Sequence, residues 1–469
     1  MANVIVVGAG MCGLMTGVLL ANDGDEVTVV ERDPQGPPDT VDEAWNDWER
    51  RGVGQFRMLH YMQPRFRVEV EQHLPQLAAE LDALGAIRHQ PTAELPAAIS
   101  GGVRPGDEQF TALTARRPVL EAAIGRVAAC TPGLTVRRGV AVSGLVTGPE
   151  VTAGVAHVIA VRTESGEELL ADLVVDTSGR RSSLPRLLED IGARPPLEER
   201  DDSSLVYYGR HFRSTDGSVP DMAGPLLVNA GTISTLTLPG DNGTWGLGIL
   251  LAASDKDMRV IKDVDRWEQV WRSVPVTAHW LDGEPISDGV AVMANLPDRI
   301  RTFFVDGTPL ATGVPAVADS WSCTNPAVGR GVSIGILHIL ALRDTLRDTG
   351  VDDPAGLALA FHEVTSAEVE PWYRATVDLD RGRLAEMEAI REHGEYITDD
   401  PFVAVGRAFY RGAWCDPDVL RAFIEVGALV SSPDDVLARP GMFEKVLAFG
   451  ELDDPFPSAS RSELLALVS

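Results

Sequence analysis

Positive charge is scarce in this 469-residue chain, and lysine is almost missing. Lys256, Lys262 and Lys445 are its only lysines, and the 41 basic residues face 69 acidic ones, for a net charge of −28. So acidic a chain argues against nucleic acid, whose phosphates need a basic footprint, and against docking on anionic lipid. Cysteine is sparse as well. Cys12, Cys130, Cys323 and Cys415 stand far apart without metal-ligand spacing, so no metal site is expected and a reducing cytoplasm is the expected location. No apolar run approaches the ~20 residues of a membrane span. The longest, Val332 to Leu342, is interrupted by His338, so no membrane partner is expected. The apolar N-terminus lacks the basic segment of a signal peptide. Internal repeats and low-complexity tracts are also missing. What remains is a chain with 44% apolar residues, long enough for two or more connected domains.

Its most informative stretch is Asn3 to Asp33. The apolar run Val4 to Val7 has the length and branching of a buried parallel strand. Gly8, Gly10 and Gly13 follow at G-x-G-x-x-G spacing, then a helical Leu14 to Asn22, then a second strand, Glu26 to Val30. Glu31 closes that strand eighteen positions after Gly13. Each part suits a dinucleotide. Gly8 permits a tight turn, Gly10 lets backbone approach a pyrophosphate, and Gly13 lets helix and strand pack closely. The helix N-terminus offers free N–H groups to phosphate, and Glu31 can accept from ribose hydroxyls.

Further on, Pro34 to Glu49 reads as a surface loop with a short helix, and Gly52 to His60 leads into a helix from Met62 to Leu84. Arg57 and His60 lie where a cofactor extending from the glycine loop would pass. Arg116 and Arg117 open an amphipathic helix that reaches Ala129. Cations at a helix start oppose its dipole, which an adjacent anion such as pyrophosphate would relieve. Leu134 to Val146 and Ala156 to Arg162 suggest a small antiparallel meander. Leu169 to Asp176 is a strand followed by Thr177-Ser-Gly-Arg-Arg-Ser-Ser183 and a helix to Ile191. Tyr207 to Arg213, Leu226 to Leu238 and Thr244 to Leu251 alternate like strands. Asp263 to Trp280 is a covering helix whose Trp267 and Trp271 belong in a core. Asp319 ends another strand, and Gly329 and Gly331 begin a helix. From residue 351 the chain reads as helical.

The glycine loop with Glu31, the Arg117 helix start, Asp176-Thr-Ser-Gly-Arg180 and Asp319…Asn325-Pro…Gly329-Arg-Gly331 occur in that order. As a set they resemble the flavoprotein monooxygenases of the aromatic-hydroxylase and squalene-epoxidase-like type, and most of all FAD-dependent oxidoreductases of actinobacterial natural-product pathways. The resemblance implies an α/β fold: a Rossmann-like FAD-binding domain from 1–60, 110–200 and 300–350, an antiparallel-sheet substrate domain from 61–109 and 201–299, and a helical region, 351–469. It implies FAD contacts at Gly8, Gly10, Met11, Cys12, Gly13, Glu31, Arg32, Arg57, Arg117, Val140, Ser178, Gly179, Asp319, Pro326, Gly329, Arg330, Gly331 and Val332. The chain departs from the family where Ala318-Asp319-Ser320 stands for Gly-Asp-Ala, and where two residues separate Asp176 from Gly179.

The activity so implied is hydroxylation or epoxidation of an apolar or polycyclic intermediate through a flavin hydroperoxide. Two alternatives stay open, a non-redox cyclase of a polyketide or polyene and a flavin-dependent double-bond reductase. A second G-x-G-x-x-G is missing, so NAD(P)H would act transiently or through a partner flavin reductase. The lysine and Trp-x-Trp run of flavin halogenases are also missing. His60, Tyr207, Tyr208 and His211 are candidates for acid–base work.

Overall fold

Val4–Val7 lies at the centre of a parallel sheet. The computed structural model describes residues 1–469 except Ser203 and Asp454. The strand Asn3–Val7 pairs with Glu26–Glu31 on one side and Leu173–Asp176 on the other, and Leu134–Arg138 adds to the Glu26–Glu31 edge. Side chains alternate between faces. Val4 and Val6 pack against the helices Met11–Asn22, Arg117–Cys130 and Gly331–Thr349. Ile5 points the other way, into a core shared with the antiparallel strands Val142–Thr152 and Val155–Thr163. The expected meander is present, but Leu134–Arg138 leaves it for the parallel sheet, where Val136 joins the helix-side core.

The helix expected from Met62 to Leu84 is two, Pro64–His73 and Pro75–Ala83. Pro75 lacks the N–H that would continue the first and starts the second at its first turn. Phe66, Val70, Leu77 and Leu81 insert into the core of the parallel sheet, so this pair, expected with the substrate domain, packs with the dinucleotide-binding half.

The second half is an antiparallel sheet in the order Leu227–Ala230, Ile233–Pro239, Thr244–Ala252, Leu205–Arg213, Glu284–Pro285. One face, with Leu247, Ile249 and Leu251, is covered by Val264–Arg272 and Arg461–Val468. Trp267 and Trp271 are fully buried there, their rings stacked 5.3 Å apart. The covering helix is shorter than expected and ends at Arg272, with a separate turn at Ala278–Leu281. The other face, with Leu205, Leu236 and Leu250, looks into a cavity. Gly209, Gly246 and Gly248 form a groove in the sheet. A methyl group on Gly209 or Gly246 would fall 2.5 or 2.7 Å from the Leu59 side chain, which occupies the groove. Leu59 comes from the Gly52–His60 segment and so joins the two halves.

The C-terminal region is helical, as expected. Glu370–His393 is tied to the antiparallel sheet by Arg383, which donates to Ile233 O at 2.5 Å and Gly231 O at 2.9 Å. Pro401–Ala413 and Pro417–Gly427 close the far side of the cavity. Among the described residues no helix is long and apolar enough to cross a membrane.

Candidate cofactor site and substrate cavity

The turn after the first strand is built around glycine. Gly8 has φ +104°, and a Cβ on Gly13 would lie 1.9 Å from Gly8 O, so neither position accepts a side chain. Gly10 is different: a Cβ there would meet nothing within 4 Å. It opens the helix Met11–Asn22 with no side-chain cap and no acid in the first turn. The first intrahelical bond is from Leu14 N to Gly10 O, so the N–H groups of Met11, Cys12 and Gly13 face the open space beside Gly10 without helical partners. That is a cradle for phosphate. Cys12 is held as a thiol; burial, with Asp319 next, pushes it up to about 12.

Glu31 stands at the adenosine end, but its carboxylate is already engaged. Oε2 accepts from Ala9 N at 2.8 Å and from Arg50 Nη2 at 3.0 Å, and Oε1 accepts from Asp33 N at 3.0 Å. One lone pair of Oε1 remains for a ribose hydroxyl. Nothing in the sequence singles out Arg50. It also donates to Glu121 Oε2 at 2.7 Å, Asp33 Oδ2 at 3.3 Å and Ala9 O at 3.2 Å, so one buried guanidinium orders three carboxylates and the glycine loop. Nearby, Val140 N donates to Glu31 O, while Arg32 is exposed and lies against Gly52.

Other residues expected to contact the cofactor already have partners within the chain. Arg57 donates to the carbonyls of Trp45, Asn46 and Trp48, so it secures its own loop. The two arginines at the helix start are paired within the chain. Arg116 is buried against Asp241, with Nη2 to Oδ2 at 2.7 Å, and stacks on Trp45. Arg117 donates to Glu121 at 2.7 Å but still reaches the cavity. Asp176 caps its own turn through Ser178 and Ser182. Gly179 N then donates to Ser320 Oγ at 3.0 Å, so the two departures from the family pattern meet each other. Ala318 takes φ +54°, the conformation glycine would adopt there without strain.

Asp319 has no hydrogen-bond partner for its carboxylate among the described residues, although its backbone O accepts from Arg299. Burial raises its pKa, against Arg180, Arg117 and Arg299, which lower it. Past it, Pro326–Val328 forms a short turn whose start is capped by Asn325, and Gly329 has φ +64°. The helix Gly331–Thr349 then begins without a side-chain cap or an acid in its first turn. Its positive end faces the cavity through Gly331 and Val332. Arg330 also borders the cavity, while its Nη2 donates to Val426 O at 2.9 Å and Nη1 to Thr376 Oγ1 at 3.4 Å, tying this loop to the C-terminal helices. Burial lowers its pKa to about 10. Arg180 lines the cavity as well and donates to Pro297 O and Thr324 O, both at 2.7 Å.

The cavity measures about 1680 Å³. Arg117, Asp319 and Gly331 stand at one end, the leucine face of the antiparallel sheet forms a wall, and Phe409 and Phe423 close the far side. Of the acid–base candidates, only His60 lines it. Burial first and Arg117 second lower its pKa to about 3, so the ring is neutral, with Nδ1 against Met58 O and Nε2 3.4 Å from Arg117. Tyr207, Tyr208 and His211 lie outside this cavity. Tyr207 bonds Asn325, and His211 packs edge-on to Trp45. Among the described residues no cluster of histidine, cysteine and acid could hold a metal.

Two uncapped helix starts, open space at Gly10 and the partnerless Asp319 between them suit an extended dinucleotide whose far end enters the cavity. The comparisons agree. Residues 1–40 match the FAD binding domain family. The chain has the fold of the FAD-dependent monooxygenases, and its cofactor is FAD. Similar structures include PqsL, a probable FAD-dependent monooxygenase from Pseudomonas aeruginosa, at 18% identity and a TM-score of 0.60, covering 84% of this chain and 98% of that one. The Diels-Alderase PyrE3 of pyrroindomycin biosynthesis matches at 16% identity and a TM-score of 0.54, over 96% of this chain and 80% of that one. A curated relative, Protein Rv3254 of Mycobacterium tuberculosis (strain ATCC 25618 / H37Rv), is 26% identical over 396 residues, 79% of this chain and 78% of that protein.

Proposed function

We propose that this chain is an FAD-dependent monooxygenase that hydroxylates or epoxidises a large, mostly apolar polycyclic or polyene intermediate. One observation carries the reading: the cavity that receives Asp319 and the start of the helix Gly331–Thr349 continues along the leucine face of the antiparallel sheet. At about 1680 Å³ it exceeds the ~300–1,000 Å³ of ordinary ligand pockets, leaving room for a fused-ring substrate beside a flavin.

Bound FAD supplies the redox chemistry and the activation of oxygen. The protein's part is orientation and charge. Met11, Cys12 and Gly13 offer N–H groups to the pyrophosphate, Glu31 and Asp319 accept from sugar and ribitol hydroxyls, and the Gly331 helix start favours negative charge at the cavity end. The leucine and phenylalanine walls exclude water. Electrons come from NAD(P)H, directly and transiently or through a partner flavin reductase. An absorbance spectrum of the purified protein, followed by NADPH addition with a candidate substrate under labelled O₂, tests the reading. A protein that cannot be loaded with FAD, or a product without label from a reducible flavin, refutes it.

The second reading is a cyclase that holds a polyene in a reactive shape and uses FAD as a structural group. The likeness to PyrE3 over 96% of this chain supports it. Turnover without consumption of NAD(P)H or O₂ would favour it.

A further inference from the structure

The helix Glu370–His393 carries a buried acid that no hydrogen bond among the described residues engages. Asp380 is 2% exposed and lines the cavity. Its Oδ2 is sealed from solvent without a partner, and no described residue bonds to its Oδ1. Thr376, Asp380, Leu384 and Met387 recur on one face of this helix. Leu384 and Met387 pack with Leu205, Leu250 and Ala327, and Thr376 Oγ1 accepts from Arg330 Nη1 at 3.4 Å. Asp380 therefore stands where the leucine wall meets the turn Pro326–Val328 and the start of the helix Gly331–Thr349. An unpaired polar group in such a place is destabilising, so its presence calls for a partner that enters the cavity.

We propose that Asp380 is a specificity-determining residue of the substrate cavity, a neutral carboxylic acid whose Oδ1–H donates to a carbonyl oxygen of a fused-ring ketone or quinone. This rests on the reading of the cavity as the substrate site and names the chemistry of what it takes. The contact transfers no proton and breaks no bond. It fixes which edge of an otherwise apolar ring system faces Gly331, which leucine side chains cannot do.

The surroundings keep the acid protonated. Burial first and Asp298 second hold its pKa well above the usual carboxylate range, with Asp201 adding to them and Arg330 opposing. The charges close once Asp380 is neutral: Asp201 accepts from Arg381 Nε at 2.5 Å, and Asp298 and Arg330 cancel. The hydroxyl of Tyr207, which also feels Asp380, already donates to Asn325. A neutral site suits a neutral ligand group. The place of the proton follows from which oxygen is sealed. A buried acceptor without a partner is tolerated better than a buried donor, so Oδ2 is the carbonyl oxygen and Oδ1, turned to the cavity, carries the hydrogen. That donor selects an acceptor. A carbonyl satisfies it and brings nothing else, whereas a hydroxyl would bring a hydrogen of its own into a wall of leucines.

The test uses the FAD-loaded protein and two probes of one shape, fluorenone and fluorene, which differ by a carbonyl oxygen. Equilibrium dialysis at neutral pH measures both affinities, and infrared difference spectra follow the fluorenone C=O band. In the wild type the band of bound fluorenone moves to lower frequency, together with a carboxylic-acid band that Asp380→Asn removes. Asp380→Leu, branched alike but without a polar atom, lowers the ratio of fluorenone to fluorene affinity about five- to tenfold, the scale of one lost hydrogen bond, and abolishes the band shift. Asp380→Asn keeps an N–H donor and most of the ratio. Both variants bind FAD as the wild type does, and Asp380→Leu has a raised urea midpoint because an unpaired polar group is gone, so a loss of folding does not imitate the result. A wild-type ratio in Asp380→Leu, an unshifted fluorenone band in the wild type, or a ratio lost as fully in Asp380→Asn as in Asp380→Leu overturns the assignment while fluorene still binds. Failure of both probes to bind the wild type overturns instead the cavity as a site for fused rings, and the assignment with it.

Discussion

Arg50→Met is the substitution that most directly tests how the adenosine end is organised. It deletes four hydrogen bonds, to Glu31, Asp33, Glu121 and Ala9 O, and leaves three carboxylates without their shared cation. Those carboxylates are 7%, 12% and 1% exposed in the order Glu31, Asp33, Glu121, so water does not replace the lost charge. Summing four charged bonds would overshoot, because the pairs share one desolvated group. Removal of one partner from a buried ion cluster sets the scale, about 3–5 kcal/mol. Urea denaturation followed by tryptophan fluorescence reads this loss, helped by Trp48, whose ring centroid lies 5.7 Å from the guanidinium. Flavin fluorescence reads the second consequence, weaker FAD binding, because Glu31 and Ala9 lose their tether. Glu121→Gln added to Arg50→Met recovers part of the stability by removing one uncompensated charge. A loss below about 1 kcal/mol with native FAD affinity would refute the reasoning.

Asp319→Asn separates stability from binding. Burial raises the Asp319 pKa in the folded protein, so ionised Asp319 costs stability above its folded pKa and nothing below the ordinary aspartate range. Without FAD, the Asp319→Asn variant is therefore more stable than wild type at neutral pH, the gain fades as pH falls toward the unfolded value, and FAD binds more weakly; urea midpoints across pH and FAD titration check both. Ala318→Gly relieves the positive φ and gains up to about 1 kcal/mol against the lost methyl burial, read as a raised urea midpoint. Leu59→Ala empties the glycine groove and costs about 2 kcal/mol, read as a lowered urea midpoint.

The parts legible in the sequence are those whose signal is local. Gly8, Gly10 and Gly13 between two apolar strands predict a tight turn and a helix start, and the structure builds both. Trp267 and Trp271 share a helix face and are buried together. Pro75 carries a signal too, because a proline inside a helical pattern marks a break. Long-range pairing is where the reading falls short. The arginine pair at 116 and 117 suggests an anion because Asp241 lies 125 positions away. Arg50 finds its carboxylates 17, 19 and 71 positions away, with no periodicity to announce them. Leu134–Arg138 carries alternating residues, which fit either sheet; only the register with Glu26–Glu31 assigns it.

Leu59 in its groove has a mechanical consequence. It works as a tongue in a slot: Gly209, Gly246 and Gly248 receive a side chain that belongs to the segment beside the glycine loop. Sliding one half of the molecule along the other would require that tongue to withdraw from the sheet. The joint is therefore pinned where the two sheets meet, while the cavity's far side is closed by the helices Pro401–Ala413 and Pro417–Gly427. There the exposed Phe402 stands at the edge of the cavity like a doorpost.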